Sequence, residues 1–162
     1  MIPKVIKQYN IFFQDNGYSG ICTEVELPEL TIKEEGFRGG GMDAEFPLDM
    51  GMETPEIGFT MEEHVKEVMR KFGRRDVMGR FSAGKSDDRT TERYTIRFKG
   101  SFGSMPLGNV VPGEKSPMKG KIKCVFLEIL QGDEELVYID IENRIRRIGG
   151  FDFLAEMRDA TS

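Results

Sequence analysis

Tyr94-Thr95-Ile96-Arg97-Phe98-Lys99-Gly100-Ser101-Phe102 sets Tyr94, Ile96, Phe98 and Phe102 in alternation with Thr95, Arg97, Lys99 and Ser101. A period of two puts successive side chains on opposite faces, so this stretch reads as a strand with one buried and one wet face. Downstream, Ile122 to Leu130 and Leu136 to Ile141 read as a hairpin joined at Gln131-Gly132-Asp133. Both are apolar on nearly every position, which predicts cover on both faces. Upstream, Tyr9 to Phe13 forms a first strand closed by the turn signal Asp15-Asn16-Gly17. Next, Ile21, Thr23, Val25 and Leu27 are expected on one face and Cys22, Glu24 and Glu26 on the other, until Pro28 checks the run. Leu30 to Lys33 resumes it, and Glu56 to Met61 supplies a further strand.

Helical spacing occurs in one place. Met61, Val65, Val68, Met69 and Phe72 share a stripe, which predicts a helix over 61–72 with Thr60 and Glu63 as a capping box and Gly73 as its stop. His64 lies at the edge of that stripe as a partly exposed structural residue. A short C-terminal helix is expected over 152–159, with Asp152 as its cap. These elements predict a mainly β, α+β fold. It is a small antiparallel β-barrel or sandwich with one packed helix, and residues 1–162 form a single domain.

One segment has no support of its own. Glu35-Gly36-Phe37-Arg38-Gly39-Gly40-Gly41-Met42 is a glycine-rich excursion leading to Pro47 and Gly51. Such a segment is costly in chain entropy, so its order is expected to come from something it touches.

Composition narrows the function. The chain is 38% hydrophobic and 31% charged, which suits a folded globular protein, and no apolar run approaches the length of a membrane span. Met1-Ile2-Pro3-Lys4-Val5-Ile6-Lys7 meets Gln8 and Asn10 before a signal-peptide core forms, which predicts synthesis and folding in the cytoplasm. The formal charge is −5, and the one basic cluster, Arg144-Ile145-Arg146-Arg147, is short and flanked by acids. A general nucleic-acid binder needs a basic stripe, so sequence-specific nucleic-acid recognition is not expected. Cys22 and Cys124 have no Cys or His at ligand spacing and read as reduced thiols packed as small hydrophobes. Neither a metal nor a cofactor is expected.

Gly79-Arg80-Phe81-Ser82-Ala83-Gly84-Lys85-Ser86 matches the phosphate-loop pattern GxxxxGK[ST] letter for letter. Leu136-Val137-Tyr138-Ile139-Asp140 resembles the strand whose terminal Asp binds magnesium. The pattern works chemically only when the loop opens into a helix whose N-terminal amides face the phosphates. Here Asp87-Asp88-Arg89-Thr90-Thr91-Glu92-Arg93 follows, without one apolar residue, and then a strand. The octet therefore reads as a flexible hairpin tip, with nucleotide binding as the alternative it leaves open. Glu62-Glu63, Glu134-Glu135 and Asp87-Asp88 are adjacent acids that point apart, as solvated faces do. No catalytic triad or Cys/His pair can be placed.

Two longer stretches carry a family resemblance. Leu27-Pro28-Glu29-Leu30-Thr31-Ile32-Lys33-Glu34-Glu35-Gly36-Phe37-Arg38-Gly39-Gly40-Gly41-Met42-Asp43-Ala44, then Pro47-Leu48-Asp49-Met50-Gly51-Met52, resembles the major tail tube proteins of contractile-tailed phages and R-type bacteriocins. The ending is similar too: Tyr138-Ile139-Asp140, Asn143, Arg146-Arg147-Ile148-Gly149-Gly150 and the run to Arg158. The likeness covers 1–61 and 118–160, and the phosphate-loop octet falls outside it. It implies a structural subunit, not an enzyme, that forms six-fold rings stacking helically around a channel. The loop over 34–46, with Phe37, Arg38, Gly39, Gly40, Gly41 and Met42, would reach an adjacent subunit. Phe151, Leu154 and Met157 near the C-terminus would make further contacts. Its partners would be other copies of itself, a surrounding sheath protein, a tape-measure protein and a baseplate tube initiator. Glu24 and Glu26 are candidates for the channel wall, past which DNA could move. A related ring that does not polymerise, such as a tube initiator or a secretion-system carrier, is the other reading in this class.

Overall fold

The computed structural model describes residues 2–14 and 16–162. Along the chain lie β1 (Val5–Phe13), β2 (Asn16–Gly17), β3 (Cys22–Glu26), β4 (Ile32–Phe37), β5 (Phe46–Met52) and β6 (Glu56–Met61). The helix α1 (Lys66–Met69) separates these from β7 (Val77–Ser86), β8 (Thr91–Ser104), β9 (Met118–Gln131) and β10 (Glu134–Asp140). The chain ends with β11 (Ile145–Ile148), β12 (Phe151–Asp152) and α2 (Ala155–Thr161). Every strand pairing is antiparallel. The expected mainly β fold is the observed one.

The quoted stretch at Tyr94–Phe102 is the middle of β8, which pairs with β7 on one side and β9 on the other. Ile96, Phe98 and Phe102 are buried, and Arg97 is exposed. One edge of β9 pairs with β8. Its other edge is divided, Met118–Lys123 pairing with β6 and Phe126–Gln131 with β10. The sheet therefore forks at Cys124, whose N–H donates to the Pro55 carbonyl at 2.8 Å. One leaf runs through β6 to β3; the other path continues through β10, β11 and β12.

The sheet curls but does not close. Phe13 of β1 meets Phe59 of β6 edge to face, with ring centroids 5.0 Å apart, although these strands share no ladder. Phe13 also meets Phe98, and Phe59 meets Phe102. Aromatic packing thus closes the core where hydrogen bonds do not, and offset and edge-on pairs of this kind add about 0.5–1.5 kcal/mol each beyond their burial.

Several expectations need correction. The helix is Lys66–Met69, not 61–72, because Met61 is committed to the ladder opposite both Cys22 and Met118. Thr60 likewise belongs to β6, so no capping box forms; Val65 enters the helix extended and without a side-chain cap. Gly73 does stop the segment, at φ +85°. In β3 a bulge between Cys22 and Glu24 shifts the phase, leaving Thr23, Glu24 and Glu26 exposed while Cys22 is buried and Val25 half-buried. The outer faces of β9 and β10 are not covered: Phe126 and Tyr138 meet edge to face there, half-exposed. Asp152 lies in β12, two residues ahead of Leu154, and α2 begins at Ala155. It ties the junction by accepting from the Leu154 N–H and from Arg158. Of the Asp15-Asn16-Gly17 turn, Asp15 lies outside the described residues; Asn16 and Gly17 pair with Phe13 and Phe12.

Candidate assembly interface

The excursion expected as a loop over 34–46 is a two-stranded arm. β4 and β5 pair only with each other, from Ile32 opposite Met52 to Phe37 opposite Phe46. All of β4 is exposed, as is every residue of β5 but Met52. The tip is held by its own atoms: Met42 N–H donates to the Gly39 carbonyl at 3.2 Å, and Arg38 Nε donates to the Met42 carbonyl at 3.1 Å. Gly41 adopts φ +84°, a conformation that glycine tolerates best.

Directly opposed residues of an antiparallel pair share a face. Phe37 with Phe46, and Glu35 with Leu48, therefore lie on one side of the arm, joined along β5 by Met50. Phe37 is 56% exposed and Phe46 57%. A row of large apolar side chains held in water by a ladder of its own is a mark of an interaction surface.

The opposite side of the arm meets the body through one ion pair that the sequence did not announce. Arg146 on β11, only 6% exposed, reaches Asp49 on β5 with both terminal nitrogens. Its Nε has no partner among the described residues, and its guanidinium lies 5.5 Å from the Phe153 ring. Hydrogen bonds from Arg146, and one from the Gly51 N–H, hold the Asp49 carboxyl below its ordinary range. Around this pair lies an apolar recess of about 290 Å³ lined by Leu30, Ile32, Met52, Ile148 and Phe153.

At the C-terminus, Phe151 and Met157 are largely exposed and Leu154 is half-buried. Phe151 packs edge to face on Phe153, centroids 4.9 Å apart. Glu24 and Glu26 face solvent on β3, beside Thr60, Lys119 and Lys121 on the neighbouring strands. β3 belongs to the main sheet and the arm is a sheet of its own, with no ladder between them.

The phosphate-loop octet is not a hairpin tip. Gly79 to Ser86 lies inside β7, paired residue by residue with β8 and along most of its length with β1. Amides committed to ladders cannot cradle a phosphate. Gly79 is there for packing, since a Cβ would stand 2.3 Å from the Phe98 ring. Lys85 lies over the Tyr94 ring at 4.2 Å. The tip is instead Asp87–Thr90, where Asp87 accepts from the Arg89 and Thr90 N–H groups. Of the other adjacent acids, Glu135 pairs with Arg147 and Glu62 accepts from Thr23, while Glu63 and Glu134 are exposed as expected. His64 Nε2 donates to the Leu107 carbonyl at 3.2 Å. Among the described residues no cluster of three or more metal-ligating side chains occurs, and no helix is long and apolar enough to cross a membrane.

Residues 3–161 match the family model for phage tail tube protein FII. The chain belongs to the phage tail tube protein family. It is 28% identical to the tail tube protein of Escherichia phage P2, over 97% of this chain and 96% of the relative. It is 24% identical to the major tail tube protein of Serratia phage KSP20, over 92% and 90%. In fold it is similar to a chain in the cryo-EM structure of the anti-feeding prophage baseplate, six-fold symmetrised. That match has a TM-score of 0.54 at 10% identity, covering 78% of this chain and 92% of that one. The family places the protein among structural components of phage tails.

Proposed function

We propose that this tail tube protein assembles as six-fold rings that stack helically around a central channel, forming the inner tube of a contractile tail or tail-like particle. The single observation that carries this reading is the arm of β4 and β5, whose apolar side is turned away from its own body. A monomer gains nothing from holding Phe37, Phe46, Leu48 and Met50 in water, whereas a copy that covers them recovers about 25 cal/mol per Å² buried. The free edge of β3 and the short strand β12 provide unpaired backbone that further copies can extend.

In this reading Phe37 to Met42, Phe151, Leu154 and Met157 make contacts between copies. Glu24 and Glu26 face the channel, where carboxylates repel a passing polyanion. Heterologous contacts that rotate and rise leave an open tube rather than a closed particle. A sheath protein surrounds it, a tape-measure protein sets its length, and a baseplate initiator starts it. Assembly takes place in the bacterial cytoplasm, before release of the particle. The protein catalyses no reaction; its chemistry is that of surfaces.

Electron microscopy of the concentrated, purified protein tests this. Stacked rings with a stained central hole are the expected result. Closed rings that never elongate would place the chain with the non-polymerising relatives instead, and a persistent monomer would overturn the reading. Reversing Glu24 and Glu26 to lysine is expected to leave assembly intact and alter passage through the channel.

A further inference from the structure

The net charge is not spread over the chain. Residues 29–53 carry Glu29, Glu34, Glu35, Asp43, Glu45, Asp49 and Glu53 against Lys33 and Arg38, a net −5 that equals the formal charge of the whole protein. The arm and its base therefore hold all of the excess acid, and the remainder is balanced. The arm is thus both apolar along one side and acidic.

The body offers a surface of the opposite kind. Across the outer face of β1, β7, β8 and β9 runs a groove of about 630 Å³, its floor formed by Phe12, Met78 and Phe126. Arg80, Arg97 and Lys99 line the same groove. Arg80 stands directly opposite Arg97 in the ladder, a like-charge pair that destabilises a sheet. Among the described residues, Arg97 has a carboxylate beside it, Glu128 at 3.4 Å, and Arg80 lies over the Phe12 ring at 4.4 Å. Met78 is 57% exposed. Two opposed arginines above an uncovered apolar floor are stabilised by a partner that brings carboxylates and hydrophobic side chains together.

We propose that this groove is the acceptor site for the arm of a second copy. Phe37, Phe46, Leu48 and Met50 cover Phe12, Met78 and Phe126, while Glu35 and Asp43 meet Arg80, Arg97 and Lys99. The dimensions agree. The groove crosses four strands, roughly 14 Å at the usual spacing of sheets, and a two-stranded arm with its side chains is about 10 Å wide. The proposal rests on the reading that copies stack, and it names the surface on which they do so. Opposed charges also set the register of docking, because a slipped arm would bring Glu35 against apolar floor instead of arginine.

Two experiments test it. First, Leu48→Cys and Met78→Cys are introduced together and assembled particles are oxidised; the native thiols at Cys22 and Cys124 are buried and contribute little background. Ladders of cross-linked copies on a non-reducing gel are expected. Second, Arg80→Glu with Lys99→Glu is expected to slow assembly about tenfold or more. Adding Glu35→Lys with Asp43→Lys to the same chain is expected to restore it, with an unchanged melting temperature excluding misfolding as the cause. Particles that assemble normally, with no cross-link and no effect of charge reversal, overturn the docking site and leave stacking intact. A groove that cross-links to another tail component in place of the arm overturns it as well. Wild-type protein that never assembles overturns the stacking reading and this one with it.

Discussion

Arg146 and Asp49 lie 97 positions apart in the chain and form the principal ion pair between the arm and the body. The arginine is buried and the aspartate about half exposed. Removing the acid strands a buried guanidinium, whereas removing the arginine leaves a carboxylate that water can reach. Asp49→Asn is therefore expected to cost about 1–2 kcal/mol, below the 3–5 kcal/mol of a wholly buried pair because solvent screens Asp49. Arg146→Met is expected to cost less than Asp49→Asn. Chemical denaturation of the two variants measures the difference.

The same pair gives the arm a pH dependence. The folded Asp49 carboxyl is held below its unfolded value of about 4, so its contribution is fully present above that pH. It is lost as pH falls through the lower, folded value. Protection of the β4–β5 amides, taken relative to the intrinsic exchange rate at each pH, is expected to fall below about pH 4 in the wild type and to show no such fall in Asp49→Asn. An equal loss of protection in both would separate the arm from this contact.

The octet Gly79–Ser86 can be tested as packing against chemistry. A Cβ at Gly79 collides with Phe98, whereas one at Gly84 meets only Thr91 Cγ2 at 3.8 Å. Gly79→Ala is expected to cost about 1–3 kcal/mol by overpacking, and Gly84→Ala about 0.5 kcal/mol or less. Magnesium and ATP are expected to leave the melting temperature unchanged, with or without Lys85→Ala. A nucleotide-dependent rise abolished by Lys85→Ala would restore the phosphate-loop reading.

The thiols offer a check on the core. Burial raises the Cys22 thiol and pushes that of Cys124 up to about 12, so almost no thiolate exists near neutral pH. A disulfide reagent at pH 8 is expected to release no colour from the native protein within minutes and two equivalents after denaturation. Rapid reaction of either in the native state would contradict the packing described for β3 and β9.

Much of the strand order was legible because period-two alternation survives wherever one face is buried and the other wet, as in β8. It failed at β3, where a bulge shifts the phase, an insertion that leaves no mark on composition. The stripe from Met61 to Phe72 has helical spacing, and Met61, Val65 and Val68 are indeed all buried. Its first member is nonetheless a strand residue, fixed by partners at Cys22 and Met118 far along the chain. The arm was legible only as a glycine-rich excursion. β5 does alternate, with Phe46, Leu48 and Met50 on one side, but β4 sets Lys33 and Glu35 among its exposed residues and Pro47 and Gly51 interrupt the run, so the pair carries no clear strand pattern. The Arg146–Asp49 contact and the Arg80–Arg97 pair depend on long-range register and were invisible for that reason.

The most direct test of the central claim removes the arm and keeps the body. Residues 36–47 are replaced by an Asn-Gly turn joining Glu35 to Leu48, which face each other in the ladder. The expected product folds, melts near the wild-type temperature and stays monomeric under the electron microscope, in conditions where the intact chain forms stacked rings. Tubes of normal length from the armless chain would contradict the account, because the arm would then be dispensable to the contact it is argued to make.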